Sequence, residues 1–148
     1  DVAATSAFGS WVNDMAAGRC AWGWAVRTSD IAATAERLDL DLVPGSRVNP
    51  AGVELRWSLA GVPGAASDRT LPFFIAWGAG TPRPGSAHAD HPAGDVRVSA
   101  VTVETDPAEL GRRLGHAALP VTVHAGRRGV TRVELTADAG RIVLEPGL

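Results

Sequence analysis

Laid over itself with a shift of 76 residues, the sequence places Asp30 on Asp106, Ala32 on Ala108, Arg37 on Arg113, Leu38 on Leu114 and Pro44 on Pro120. A duplication constrains the fold more than any single motif, because a unit that occurs twice needs one local solution that works in two places. The two copies also share an order of elements. Trp22, Trp24 and Val26 alternate with small residues, the period-two mark of a half-buried strand over Cys20 to Arg27. Thr28, Ser29 and Asp30 supply N-cap chemistry, and Ile31, Ala35 and Leu38 stand at helical spacing over Ile31 to Leu38.

Past Pro44 and Gly45, which stop the helix, a short strand is expected at Ser46 to Val48. Val53, Leu55, Trp57 and Leu59 then alternate with Glu54, Arg56 and Ser58, and Leu71 to Trp77 reads as a more fully buried strand. The second copy repeats this as a strand over Val96 to Val103 and a helix over Asp106 to Leu114. Asp106 is its cap, and Pro107 takes the first position, where the missing N–H has no helical partner anyway. Strands follow at Leu119 to His124, Val130 to Thr136 and Arg141 to Leu144, the last two joined by an Asp138-Ala139-Gly140 turn. Between the copies, Gly78 to Gly94 holds three Pro and four Gly without periodicity. The expected organisation is a lead-in over residues 1–19, a first unit over 20–78, a linker over 79–94 and a second unit over 95–148.

A chain of 148 residues, 45% hydrophobic and 20% charged, has enough apolar surface for one packed domain without disulfides. Its net charge of −2 is spread along the chain, which leaves no basic stripe for a phosphate backbone, so nucleic acid is not an expected partner. All 14 basic residues are Arg, a bias that fits a GC-rich bacterial genome. Cys20 is alone, so no internal disulfide forms and a structural thiol is the expectation for it. No run approaches the roughly 18 apolar residues of a membrane span, and the first twenty residues lack the pattern of a signal peptide. The expected location is the cytoplasm.

Two tandem βαβββ units in one chain resemble the architecture of the vicinal oxygen chelate superfamily, and four segments resemble its glyoxalase-like branch. These are Trp24 to Asp30 (Trp-Ala-Val-Arg-Thr-Ser-Asp), Pro44 to Arg47 (Pro-Gly-Ser-Arg), Gly52 to Trp57 (Gly-Val-Glu-Leu-Arg-Trp) and Leu71 to Gly78 (Leu-Pro-Phe-Phe-Ile-Ala-Trp-Gly). The resemblance implies an α+β fold in which two curved mixed sheets form a concave cleft, with the helices on the outer face. Metal-using members of the superfamily place a His or Gln on the first strand of a unit and a Glu on its last. Those places fall here near Ala21, Ala76, Arg97 and Val143, none of which is a metal ligand. Proteins of this branch often carry a further unit upstream, and because the sequence starts at Asp1 without Met, such a unit is an expectation here.

In the hairpin strands one phase is apolar and the other charged, so with the apolar phase against the helices, Glu54, Arg56, Arg132 and Glu134 are expected in the cleft, joined by His124. Arg56 and Arg132 would bind a carboxylate through paired N–H donors, and Glu54 or Glu134 would act as a base. The competing reading makes the same residues ion pairs on a solvated sheet face. Trp77 is read either as core or as the wall of a pocket. His88, Asp90 and His91 cluster in the linker and are read either as solvated loop residues or as a weak divalent metal site.

The functional expectation is a protein that binds a small anionic or carbonyl-containing molecule in its cleft without the usual metal ligands. The alternative is a metal-dependent lyase, isomerase or dioxygenase-type enzyme whose ligands lie in an upstream unit. No cofactor is expected from these residues, a divalent metal stays open, and a homodimer is compatible with units that pair across chains.

Overall fold

A computed structural model describes residues 23–83, 85 and 92–145. It has an α+β architecture with two four-stranded mixed sheets. The first unit comprises β1 (Ala25–Arg27), α1 (Ile31–Leu38), β2 (Leu42–Val48), β3 (Glu54–Ala60), α2 (Val62–Ser67) and β4 (Phe73–Trp77). The second comprises β5 (Arg97–Thr105), α3 (Pro107–Leu114), β6 (Val121–Ala125), β7 (Gly129–Ala137) and β8 (Gly140–Leu144).

The repeat is visible in the helices, since α1 and α3 have the same length and lie 76 residues apart. Both start on an aspartate that satisfies free N–H groups of the first turn. The Asp30 carboxylate accepts from the Ala33 N–H at 2.9 Å, and that of Asp106 accepts from Ala108 and Glu109. Their ends are closed by residues with positive φ, Asp39 at 53° and Gly115 at 60°.

Strand order, by contrast, differs between the units. The first sheet runs β1-β4-β3-β2, with β1 parallel to β4, while the second runs β6-β5-β7-β8, with β5 parallel to β6. β2 is longer than the short strand expected at Ser46 to Val48, because the whole stretch from Leu42 to Val48 pairs with β3 in one unbroken register. The β2–β3 loop is built on Asn49, whose side-chain oxygen accepts from the Ala51 and Val53 N–H groups, and on Gly52 at a φ of 77°.

The register separates the two faces of the first sheet. Leu59, Phe73, Trp57 and Ile75 share one face and pack on Val62 and Ala65 of α2. Val26, Ala60 and Phe74 share the other face and pack on Ala35, Ile31 and Leu38 of α1. Glu54, Arg56 and Ser58 belong to this second face. The expectation that the polar phase of β3 points away from all helices is therefore revised, because the unforeseen α2 covers the apolar phase and leaves α1 on the other.

The units meet through Leu114 and Leu119, which join the cluster around Val26 and Phe74. Arg37 of α1 also donates to the carbonyls of Arg112 at 2.6 Å and Arg113 at 2.9 Å, at the C-terminal turn of α3 where carbonyls lack helical partners. In the second unit Val103 and Leu110 are fully buried. Cys20, Ala21 and Trp22, expected in the first strand, lie outside the described residues, as do His88, Asp90 and His91 of the linker.

Candidate functional site

Three of the residues singled out in the sequence line one depression. Its volume is ≈ 550 Å³, and it is formed by Pro44, Ser46, Glu54, Arg56, Ser58, Ala76, Trp77 and Gly78 among others, all from the first unit. β3 supplies the charge. Glu54 and Arg56 are two residues apart and so share a face, and the Arg56 guanidinium donates to the Glu54 carboxylate at 2.6 Å. The backbone of Arg56 is fixed at both ends: its N–H donates to Thr81 Oγ1 at 3.1 Å, and its carbonyl accepts from the Gly78 N–H at 2.8 Å. The close approach at Gly78 leaves little room for a side chain, since a Cβ there would stand 3.0 Å from Arg56 Cβ.

The Arg56 side chain is 71% exposed and spends one nitrogen on Glu54. Its remaining donors have no partner among the described residues. The hydrogen bond from Arg56 holds the Glu54 carboxyl below the usual glutamate range, so Glu54 is ionised near neutral pH and a poor proton acceptor. Trp77 stands opposite Trp57 in the register, the rings edge to face with centroids 5.9 Å apart. Gly45, the residue beside Trp57 on β2, leaves space for the indole, because a Cβ there would come within 2.5 Å of Trp57 Nε1.

Arg132, Glu134 and His124 do not join this depression. They lie on the second sheet, in register with Thr102, Ala100 and Glu104. The opposite face of that sheet, with Val101, Val121, Val130 and Val133, lines an apolar cavity of ≈ 450 Å³ against Trp24 and Val26 of the first unit. The charged face therefore points away from the first unit. On it Glu134 accepts from both Arg141 and Arg132, and Arg132 also donates to Glu145 at 2.6 Å. Arg141 and Arg132 together hold the Glu134 carboxyl below its usual range, which disfavours a role as base. A neighbouring pair joins Arg128 to Glu104 beside the exposed His124. Both readings of the charged strands are thus represented in space: an ion-pair array on the second sheet and an open arginine in a depression on the first.

The positions where metal-using members of the resembled superfamily carry ligands do not fit a cation. Ala76 stands opposite Ser58, Arg97 opposite Thr136 and Val143 opposite Glu134. Among the described residues no three of His, Cys, Asp and Glu converge on a point. Sequence reasoning did not single out Ser46, Ser58 or Arg27 as site residues, and it read Trp24 as part of one apolar face of the first strand. The serines sit in the polar phase of their strands, a signal that was available. Trp24 and Arg27 line the cavity between the units, and Trp24 Nε1 is buried without a partner among the described residues. Only the packing of two units creates that cavity, so no local pattern announces it.

No helix among the described residues is long and apolar enough to cross a membrane. Neither a curated protein nor a solved structure matches the chain. The sequence model of the glyoxalase-like domain does match it, over residues 1–119. That span takes in all of the first unit together with β5 and α3 of the second, and the chain belongs to the glyoxalase-like domain family.

Proposed function

We propose that this chain is a binding member of its family that takes a small anionic or carbonyl-containing molecule into the depression on the first sheet, with Arg56 as the anchor. The observation that carries the reading is the open guanidinium. Its backbone is pinned on both sides, one nitrogen is oriented by Glu54, and its other donors face a space large enough for a small ligand. A carboxylate accepts two parallel N–H bonds from such a fork, and the Ser46 and Ser58 hydroxyls are placed to serve a neighbouring carbonyl or hydroxyl. Pro44 and Ala76, both in register with Ser58 and so on the face of Arg56, offer apolar contact to the body of the ligand. Glu54 positions the arginine and sets a limit on the ligand, because a second anion gains less beside a paired guanidinium than beside a free one.

Binding is favoured over proton abstraction because both candidate bases, Glu54 and Glu134, are held in their ionised, weakly basic form by arginines. The test is a calorimetric titration with phenylpyruvate, which joins a carboxylate, a carbonyl and an aromatic body. Saturable binding to the wild type, weakened about tenfold or more in Arg56→Ala and unchanged in Arg132→Ala, is the expected result, since a charged hydrogen bond is worth about 1.5–3 kcal/mol. Equal affinity in wild type and Arg56→Ala would place the site elsewhere.

A further inference from the structure

The two sheets are open, and their four edge strands are not equivalent. An unprotected edge offers unpaired N–H and C=O groups to another strand, and proteins blunt such edges with proline, with short length or with polar side chains. β1 has only three residues, β2 carries Pro44, and the exposed positions of β6 include Thr122 and His124. β8 carries one polar side chain, Arg141 near its start, and none over the three residues that follow. Ile142, Val143 and Leu144 are consecutive and 36%, 40% and 40% exposed.

We propose that β8 pairs antiparallel with β8 of a second copy of this chain, about a twofold axis through Val143, to join two sheets into one of eight strands. The sequence around that axis is complementary to itself. Arg141 and Glu145 flank the apolar triplet at equal distance from Val143, so antiparallel pairing sets Val143 against Val143, Ile142 against Leu144 and Arg141 against Glu145 of the second copy.

The backbone parity agrees. β7 and β8 are joined by a two-residue turn, with Ala137 opposite Gly140, and the pair that flanks such a turn is hydrogen-bonded. By alternation Gly140, Ile142 and Leu144 bond inward to β7. The N–H and C=O groups of Arg141, Val143 and Glu145 therefore face outward, and these are the residues that the twofold pairing brings opposite one another.

The charges continue the pattern. Within one chain Arg141, Glu134, Arg132 and Glu145 form a line of alternating sign. Arg141 and Glu145, its two ends, are 56% and 60% exposed. Pairing sets each end beside the opposite end of the second copy and closes the two lines into one ring of alternating charge.

Sedimentation equilibrium of the full chain tests this. The wild type is expected to dimerise reversibly with concentration. Val143→Pro removes an outward N–H that β7 does not use, so it leaves the circular dichroism spectrum in place while raising the dissociation constant about tenfold or more. Arg141→Glu and Glu145→Arg each set like charges against each other in a self-pair and are expected to be monomeric alone. Mixed together, they restore opposite charges at both flanks and form a heterodimer. A wild type that stays monomeric at all accessible concentrations, a dimer that survives Val143→Pro unchanged, or single charge variants that fail to associate on mixing would each overturn the proposal.

Discussion

At the scale of single residues, the decisive contrast is between two arginines with similar sequence surroundings. Arg56 and Arg132 both have a glutamate two positions away on the same strand face, and the sequence treats them alike. Arg132 shares its guanidinium between Glu134 and Glu145, whereas Arg56 meets Glu54 and no other carboxylate among the described residues. What separates them is a third strand: β8 brings Arg141 and Glu145 alongside the Arg132 pair, and no pattern within β7 reveals that. The same network makes acid stability a test. Because Arg141 and Arg132 depress the folded-state pKa of Glu134, its ionised form favours the folded state above the unfolded glutamate value of about 4.3, and that contribution is lost as pH falls through the lower folded value. Urea unfolding of Glu134→Gln should show a stability gap from wild type at pH 7 that closes as the pH drops below about 4. A gap that stays constant with pH would assign the loss to packing rather than charge.

At the scale of elements, the sequence is most informative where local chemistry is complete. The helices at Ile31–Leu38 and Pro107–Leu114 agree with the capping residues read beforehand, because an aspartate cap satisfies the first turn whatever surrounds it. The strands of the hairpin over residues 129–144 also agree closely with the alternation and turn residues. Val62–Ser67 was missed. Pro63 and Gly64 resemble a turn, and the six-residue helix forms because Val62 and Ala65 find Leu59 and Phe73 beneath them. One missed helix changed the meaning of the polar phase of β3, since face assignments depend on what covers each side. The caps give a test at this scale. Asp30→Ala and Asp106→Ala should each cost about 1 kcal/mol in chemical denaturation, with similar magnitude because they occupy equivalent places in the two units. A loss confined to one of them would mean that the other helix is held by its packing alone.

At the scale of the molecule, the duplication in sequence becomes two sheets of different strand order, and the family match ends at residue 119, just before β6. The shared helices survive the shift of 76 residues; the strand pairing does not. The reason is visible in the pairing itself: β5 takes β6 as a parallel neighbour, whereas β1 takes the last strand of its unit. The two units nevertheless share one apolar cluster, in which Leu114 and Leu119 pack against Val26 and Phe74. Heat should therefore unfold them together. Among the described residues the tryptophans, Trp24, Trp57 and Trp77, all belong to the first unit, while far-ultraviolet circular dichroism reports on both units, so tryptophan fluorescence and circular dichroism should give coincident transitions. Separate midpoints would show that the contact between units is too weak to couple them.

The most direct test of the binding assignment is a nuclear magnetic resonance titration of the full chain with phenylpyruvate, followed at the Arg56 Nε–Hε resonance and at the backbone N–H signals of Ser58 and Ala76. Saturable shifts of the Arg56 resonance together with the Ser58 and Ala76 signals, and none at Arg132, are the expected result. Shifts confined to the second sheet or to the Trp24 cavity, with the Arg56 resonance unmoved, would contradict it.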